Sequence, residues 1–321
     1  MTQRGRGRLL TGAAPYACSR VKGQSALTIF TCGDRGTSGL KRTVKRPFTT
    51  FLGVDLGGGR GKTTAVAELR ATADGVEVCE VATRSDKLAW TDETLIHRLA
   101  DGHVEATVVA IDAPLTRPAC NRCERPVCPG MEACVDPAVV WLRTEGRSLV
   151  RKVAASVSGD RPRVLQHVAQ ARLAPYAHRG TEVSLTYGRG LLPVSSLGAG
   201  NGGIAARAGQ LRRRMRGAGF ELHRNLIEVS PAATIAALCG LRASRGYKRD
   251  ADPWRTRAVI LERLSDLTFA PRSRMAREDV LQNDHCFDAL ISAYTAYRWA
   301  HDGWPDPEGS FAEDGWIVVP P

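Results

Sequence analysis

Three times in this chain a carboxylate sits at or near the end of an apolar run. The runs are Phe51-Leu52-Gly53-Val54-Asp55-Leu56-Gly57, Val109-Ala110-Ile111-Asp112-Ala113-Pro114 and Leu226-Ile227-Glu228-Val229-Ser230-Pro231. Short apolar runs of this kind have the length of buried strands. An ionised acid inside one loses hydration that only a cation, hydrogen-bond donors or residual solvent can replace. An acid at a strand end can also cap the following helix or turn without any chemistry, and for any one of the three that reading stands. Three occurrences point instead to a shared destination. A fourth acid, Asp288, lies in Asn283-Asp284-His285-Cys286-Phe287-Asp288-Ala289-Leu290, with Asp284 one helical turn earlier on the same face. Carboxylates gathered in this way repel one another unless divalent cations neutralise them, and hard ions such as Mg²⁺ or Mn²⁺ prefer oxygen ligands. Asp55, Asp112, Glu228 and Asp288 are therefore the expected ligands of a two-metal hydrolytic site. One ion would prepare the attacking water, and the other would stabilise the leaving oxygen of a phosphodiester.

The order of elements around these acids is that of an α/β domain. Phe48–Leu56, Thr63–Leu69 and Val76–Ala82 read as three antiparallel strands, the last two joined through Ala73-Asp74-Gly75. Thr91 caps a helix through Ala100, with Thr94 at the capping-box position and Asp92 and Glu93 in the first turn. Glu105–Ile111 is a fourth strand. Residues 115 to about 200 break the pattern and read as a Cys-rich insertion with helical pieces at Val139–Val157 and Pro162–Leu173. Regular structure resumes with a helix over Ile204–Arg216, a strand over Asn225–Val229, a helix after Ser230 whose first turn suits Pro231, and a final helix over Asp284–Ala300.

These features carry a family resemblance. The strand, Asp and glycine start, Ile111-Asp112-Ala113-Pro114, Glu228-Val229-Ser230-Pro231 and Asp288-Ala289-Leu290 resemble the predicted RNase H-like nuclease family called domain of unknown function 429, over roughly residues 48–320. The final helix is also similar to the RuvC-type resolvase motif, in which an acid or His precedes Asp-Ala-Leu by three residues, the place His285 occupies here. The resemblance implies an RNase H-like mixed sheet flanked by helices and nuclease-like chemistry, with His285 or Asp284 assisting as base or ligand. Asp284 at a four-residue spacing and the Cys-rich insertion depart from the pattern. The leading expectation is a metal-dependent phosphodiester hydrolase acting on nucleic acid, DNA or RNA.

Two other classes stay open. Gly57-Gly58-Gly59-Arg60-Gly61-Lys62-Thr63 has Leu56 where a P-loop needs its first glycine, but Asp55-Leu56-Gly57-Gly58 with Lys62-Thr63 resembles the first phosphate hairpin of the actin-like sugar-kinase superfamily. That reading makes the chain an ATP-dependent phosphotransferase, although no second-half repeat is evident. A non-catalytic nucleic-acid-binding protein on a decayed nuclease fold would keep the basic residues and lose metal binding. Arg207, Arg212, Arg213, Arg214 and Arg216 on one helix, and Lys248 and Arg249 after Tyr247, are either phosphate contacts or a solvated face.

Cys120, Cys123, Cys128 and Cys134 offer four thiols for a tetrahedral, structural Zn²⁺. An iron–sulfur cluster or disulfides are the alternatives, the latter disfavoured without a secretory signal. Cys18, Cys32, Cys79, Cys239 and Cys286 are scattered and read as incidental or buried residues. The formal net charge of +12 says little about the folded part. Ten basic residues against the single acid Asp34 place +9 of it in the first 50 residues, which leaves +3 for the rest. Residues 1–46 are read as a basic extension to a domain spanning 47–321. They suit a disordered arm, an organellar transit segment or a non-native start, and they lack the apolar core of a secretory signal. No apolar run reaches the roughly 20 residues of a membrane helix, so a cytoplasmic protein is expected, with organellar targeting left open.

Overall fold

Strict alternation builds the central strand. In the computed structural model, which describes residues 45–58, 63–156, 172–193, 195–196, 198, 201–271, 277–305 and 314–321, β1 (Thr50–Asp55) sends Phe51 to one face of a sheet and Leu52 and Val54 to the other. All three side chains are buried. β2 (Ala65–Ala71) and β3 (Val76–Ala82) add to it as antiparallel neighbours. β4 (Arg84–Ser85) and β5 (Leu88–Ala89) form a separate small hairpin. In α1 (Asp92–Ala100) the Thr94 hydroxyl accepts from the Thr91 N–H while the Thr91 hydroxyl accepts from the Thr94 N–H, so a threonine completes the box usually closed by Glu or Gln.

β6 (Thr107–Asp112) then runs parallel to β1, and its register sets Asp112 directly opposite Asp55. The long connection that follows contains α2 (Pro137–Trp141), capped by Asp136, which passes through a π-helical turn at Leu142–Gly146 into α3 (Arg147–Ser156). Together these occupy the helix expected over Val139–Val157. α4 (Gly180–Val183) also runs into a π turn, Ser184–Gly188. The helix expected over Pro162–Leu173 lies, as far as residue 171, outside the described residues. So do Gly59–Lys62 of the glycine loop and the N-terminal extension through residue 44, with Cys18 and Cys32. α5 (Gly202–Gly217) returns the chain to the sheet.

β7 (Leu226–Val229) pairs parallel with β6. Ser230 caps α6 (Pro231–Cys239), followed by α7 (Leu241–Arg249), α8 (Pro253–Glu262), β8 (Leu267–Phe269), α9 (Arg277–Gln282), α10 (Asp284–His301) and β9 (Ile317–Val318). The order across the seven-stranded sheet is β8-β3-β2-β1-β6-β7-β9. The edge strands β8 and β9, three and two residues long, are too short to show a period in the sequence, and α7 buries only Gly246 and Tyr247, too little to mark an apolar face. An antiparallel β1–β2–β3 unit continued by parallel β6 and β7, with helices on both faces, is the RNase H-like α/β arrangement. Among the described residues no helix is long and apolar enough to cross a membrane.

Two apolar layers hold the sheet. α1 and α5 cover the Leu52, Val54 and Ile111 face, and α10, buried almost all round, covers the Phe51, Val108 and Ala110 face. The approach of α10 depends on a missing side chain. A Cβ at Gly53 would stand 2.0 Å from the Ala289 carbonyl oxygen and 2.3 Å from the Ala293 nitrogen. Because both obstacles are backbone, Gly53→Ala must push the helix off the strand. We expect a cost of about 3 kcal/mol, the upper end for overpacking, read as a melting temperature lower by roughly 6–12 °C. An unchanged melting curve would contradict this close approach.

Candidate metal centre

The carboxylates of Asp55, Asp112 and Asp288 each offer an oxygen within 4.8 Å of the other two, the one such group of acidic, His or Cys ligands among the described residues. Each is there for a local reason. Asp55 and Asp112 are opposite one another on adjacent parallel strands, so the pleat turns both to the same face, the one shared with Phe51, Val108 and Ala110. Asp288 lies on α10, one residue before Ala289, whose backbone rests on Gly53. Helix and strand ends therefore meet where the acids are.

The electrostatics of this cluster call for positive charge. Burial, followed by the charges of Asp288 and Asp55, holds the Asp112 carboxyl well above the usual carboxylate range. Burial pushes Asp288 up to about 6, even though the Lys248 ammonium opposes it. One oxygen of Asp112 and one of Asp288, both Oδ1, are buried without a hydrogen-bond partner. An orphaned anionic oxygen is costly in the interior, and a divalent cation satisfies two of them at once. The residues present thus fit a hard divalent ion.

Two cationic groups border the acids. The Lys248 ammonium, from α7, forms an ion pair with Asp288 Oδ2. Desolvation works against its charge, but the pairing with Asp288 prevails and raises its proton affinity. Tyr247, next to it, is buried beside Asp288, and its phenol is held far into the neutral form by burial and by that carboxylate. His285 Nδ1 lies 2.6 Å from Asp55 Oδ2. That bond outweighs desolvation and raises the imidazole above its ordinary value. A cleft of about 380 Å³ opens beside the acids, lined by Asp55, Leu56, Gly57, Gly58, Thr63, Ile204 and His285.

Two expected residues stand elsewhere. Glu228 does not join the three aspartates, and the period of β7 is the reason: Ile227 and Val229 face α10, while Leu226 and so Glu228 face the opposite layer. There its Oε1 accepts from Arg179 Nη2 at 2.7 Å, and its Oε2 accepts from Arg179 Nη1 and the Leu115 N–H, each at 2.8 Å. Asp284 is half-buried at the start of α10, outside the group, on a groove with Asp279, Gln282, Asn283 and His285. Of the two candidate helpers, only His285 touches an acid of the group.

Three of the five arginines of the basic helix α5 are bonded within the chain, while Arg213 and Arg216 are exposed. Arg207 donates to Asp92, the Gly57 carbonyl and the Thr64 hydroxyl, at 2.7, 2.6 and 3.0 Å, which ties α5 to the residues just after β1 and just before β2. Arg212 reaches the Leu115 carbonyl and Arg214 reaches Glu93, each at 3.1 Å. Cys120 and Cys134 are half-buried and Cys123 and Cys128 exposed, none of them in a disulfide.

Lys248 as a partner of Asp288 and Arg179 as a partner of Glu228 were not recognisable from sequence. Forty or more positions separate each pair, and no local pattern announces a contact made only through the fold. No curated protein and no solved structure matches the chain. The family model described as Protein of unknown function (DUF429) matches residues 53–308, and with most of its length so matched the chain belongs to that family.

Proposed function

We propose that this chain is a metal-dependent phosphodiester hydrolase acting on nucleic acid. The observation that carries the reading is the convergence of Asp55, Asp112 and Asp288, with two buried carboxylate oxygens left without partners. When bound, Mg²⁺ or Mn²⁺ would neutralise charge on a phosphoryl group and lower the pKa of a water molecule. Asp55, Asp112 and Asp288 hold that ion and keep its position fixed between two strands and a helix. His285, with Nδ1 committed to Asp55, exchanges a proton with the cleft through Nε2. Lys248 trims the negative charge at Asp288 and, with the exposed Arg242, Arg245 and Arg249 of the same helix, favours an anionic substrate approaching the acids.

Cleavage of a panel of single- and double-stranded DNA and RNA, with Mg²⁺, Mn²⁺ or chelator, tests the proposal. We expect cleavage that requires the ion and is lost in Asp55→Asn. Metal-independent cleavage, or full activity in Asp55→Asn, would sink it. Stabilisation by ATP without any cleavage would favour a phosphotransferase, and metal-indifferent nucleic-acid binding without cleavage a decayed binding protein.

A further inference from the structure

We infer that Cys120, Cys123, Cys128 and Cys134 bind one Zn²⁺ in a structural site separate from the aspartate centre. All four thiols lie within a short stretch and none is paired in a disulfide. The stretch has almost no core of its own. Its buried cluster consists of Ala119, Ala138 and Val139, with Met131 and Cys134 packed against it, while residues 123–130 are exposed throughout. A segment that buries so little apolar surface gains little order from the hydrophobic effect, and a metal cross-link would supply it.

The cysteines are arranged as an anchored pair and an outer pair. The Cys120 N–H donates to the Pro175 carbonyl at 3.1 Å, and Cys134 rests on the small cluster. Arg143 clamps the returning limb of the loop by donating from Nη1 to the carbonyls of Met131, Glu132 and Cys134 at 2.8, 2.6 and 3.1 Å. Cys123 and Cys128 lie on the exposed bend, and all three other cysteines are near enough to Cys120 to act on its charge. The Gly130 N–H donates to Cys128 Sγ at 3.4 Å, with Gly130 in the left-handed region at φ +81°. An N–H directed at a cysteine sulfur stabilises and orients a thiolate, the role outer hydrogen bonds have around metal-bound sulfur.

No three of the sulfurs lie within 4.8 Å of one another. Tetrahedral Zn²⁺ with Zn–S bonds of roughly 2.3 Å requires about 3.8 Å between sulfurs, so the ion must draw the outer pair onto the anchored one. Four Zn–S bonds form as the thiols release their protons to solvent. The resulting double negative charge falls near Arg122 and Arg143, which already hold Asp136 and the loop carbonyls. Soft thiolate ligands select zinc over the hard ions suited to the aspartates.

The full-length chain, purified in reducing buffer, should carry one zinc per chain by metal analysis. On exchange it should give a Co²⁺ adduct with thiolate charge-transfer absorption and tetrahedral ligand-field bands. Cys123→Ser and Cys128→Ser, on the exposed bend where folding is least at risk, should each lose stoichiometric zinc and the cobalt spectrum. Asp55→Asn should keep both, which separates this site from the proposed hydrolytic one. Four outcomes would overturn the assignment: no zinc and no thiolate–cobalt absorption in the reduced chain, stoichiometric zinc retained in the Cys123→Ser/Cys128→Ser double variant, an iron–sulfur chromophore, or an unreduced mass showing these thiols paired as disulfides.

Discussion

Asp112→Asn is expected to raise the melting temperature of the metal-free chain and at the same time to weaken Mg²⁺ or Mn²⁺ binding at least about 100-fold, beyond the usual cost of altering a residue behind the ligands. The two effects have one cause. Asp112 is the acid most penalised by its surroundings, first by burial and then by the neighbouring charges of Asp288 and Asp55, and its Oδ1 has no hydrogen-bond partner. Without an ion, holding three carboxylates within 4.8 Å costs either mutual repulsion or the uptake of a proton that the unfolded chain does not bind, and an amide of the same shape removes that cost at Asp112. With an ion, the same substitution removes a third of the anionic ligand set. Melting curves in chelator should shift up by roughly 2–5 °C, and the stabilisation that Mn²⁺ gives the parent chain should disappear. A variant that melts lower in chelator and is still stabilised by Mn²⁺ as the parent is would mean that these acids are not a metal site.

Arg179→Met should destabilise the fold by about 3–5 kcal/mol, the cost of leaving a buried partner charge uncompensated. Arg179 is fully buried and joins three parts of the chain. It pairs with Glu228 on β7 through two bonds, with Glu182 on α4 at 2.8 Å, and with the Thr116 hydroxyl at 2.8 Å. Thr116 in turn donates to the Asp314 carbonyl at 2.7 Å, and the Asp314 carboxylate accepts from the Gly180 N–H at 2.6 Å. Methionine fills much of the volume but returns none of this, so Glu228 and Glu182 would be buried without a cation. Urea unfolding measures the loss. The double variant Arg179→Met/Glu228→Gln should recover a substantial part of it, since the second change removes one stranded charge. Glu228→Gln alone should leave Mn²⁺ binding within a few-fold of the parent. A collapse of metal binding in that variant would restore Glu228 to the ligand set.

The positions of Glu228 and Asp112 show what could be read without the fold. Both lie at or near the end of apolar runs of similar length and both are followed within three residues by proline, so the local signal is nearly the same for each. What separates them is the face of the sheet on which each lies, and that depends on how β7 pairs with β6. Ile111, not Asp112, is opposite Glu228, and that one-residue offset puts Glu228 on the layer opposite Asp112. The acid on the final helix was readable for a different reason. Asp284 precedes it by one helical turn on the same face, and Asp288-Ala289-Leu290 is one of the stretches that carry the family resemblance.

The amino-acid sequence by itself determined the order of the main strands and helices of the α/β core, four candidate acids with Glu228 among them, and four cysteines close together in the chain. Each rests on short-range physics: period-two or helical patterning, turn chemistry, and the cost of a charge in an apolar run. Only the tertiary structure decided which acids meet, that Lys248 and His285 border them, that Arg179 claims Glu228, and that Arg207 and Arg214 of α5 reach Gly57, Thr64 and the start of α1. Those outcomes depend on strand register and on the approach of α10 to Gly53, which join residues far apart in the chain through packing and leave no local pattern behind.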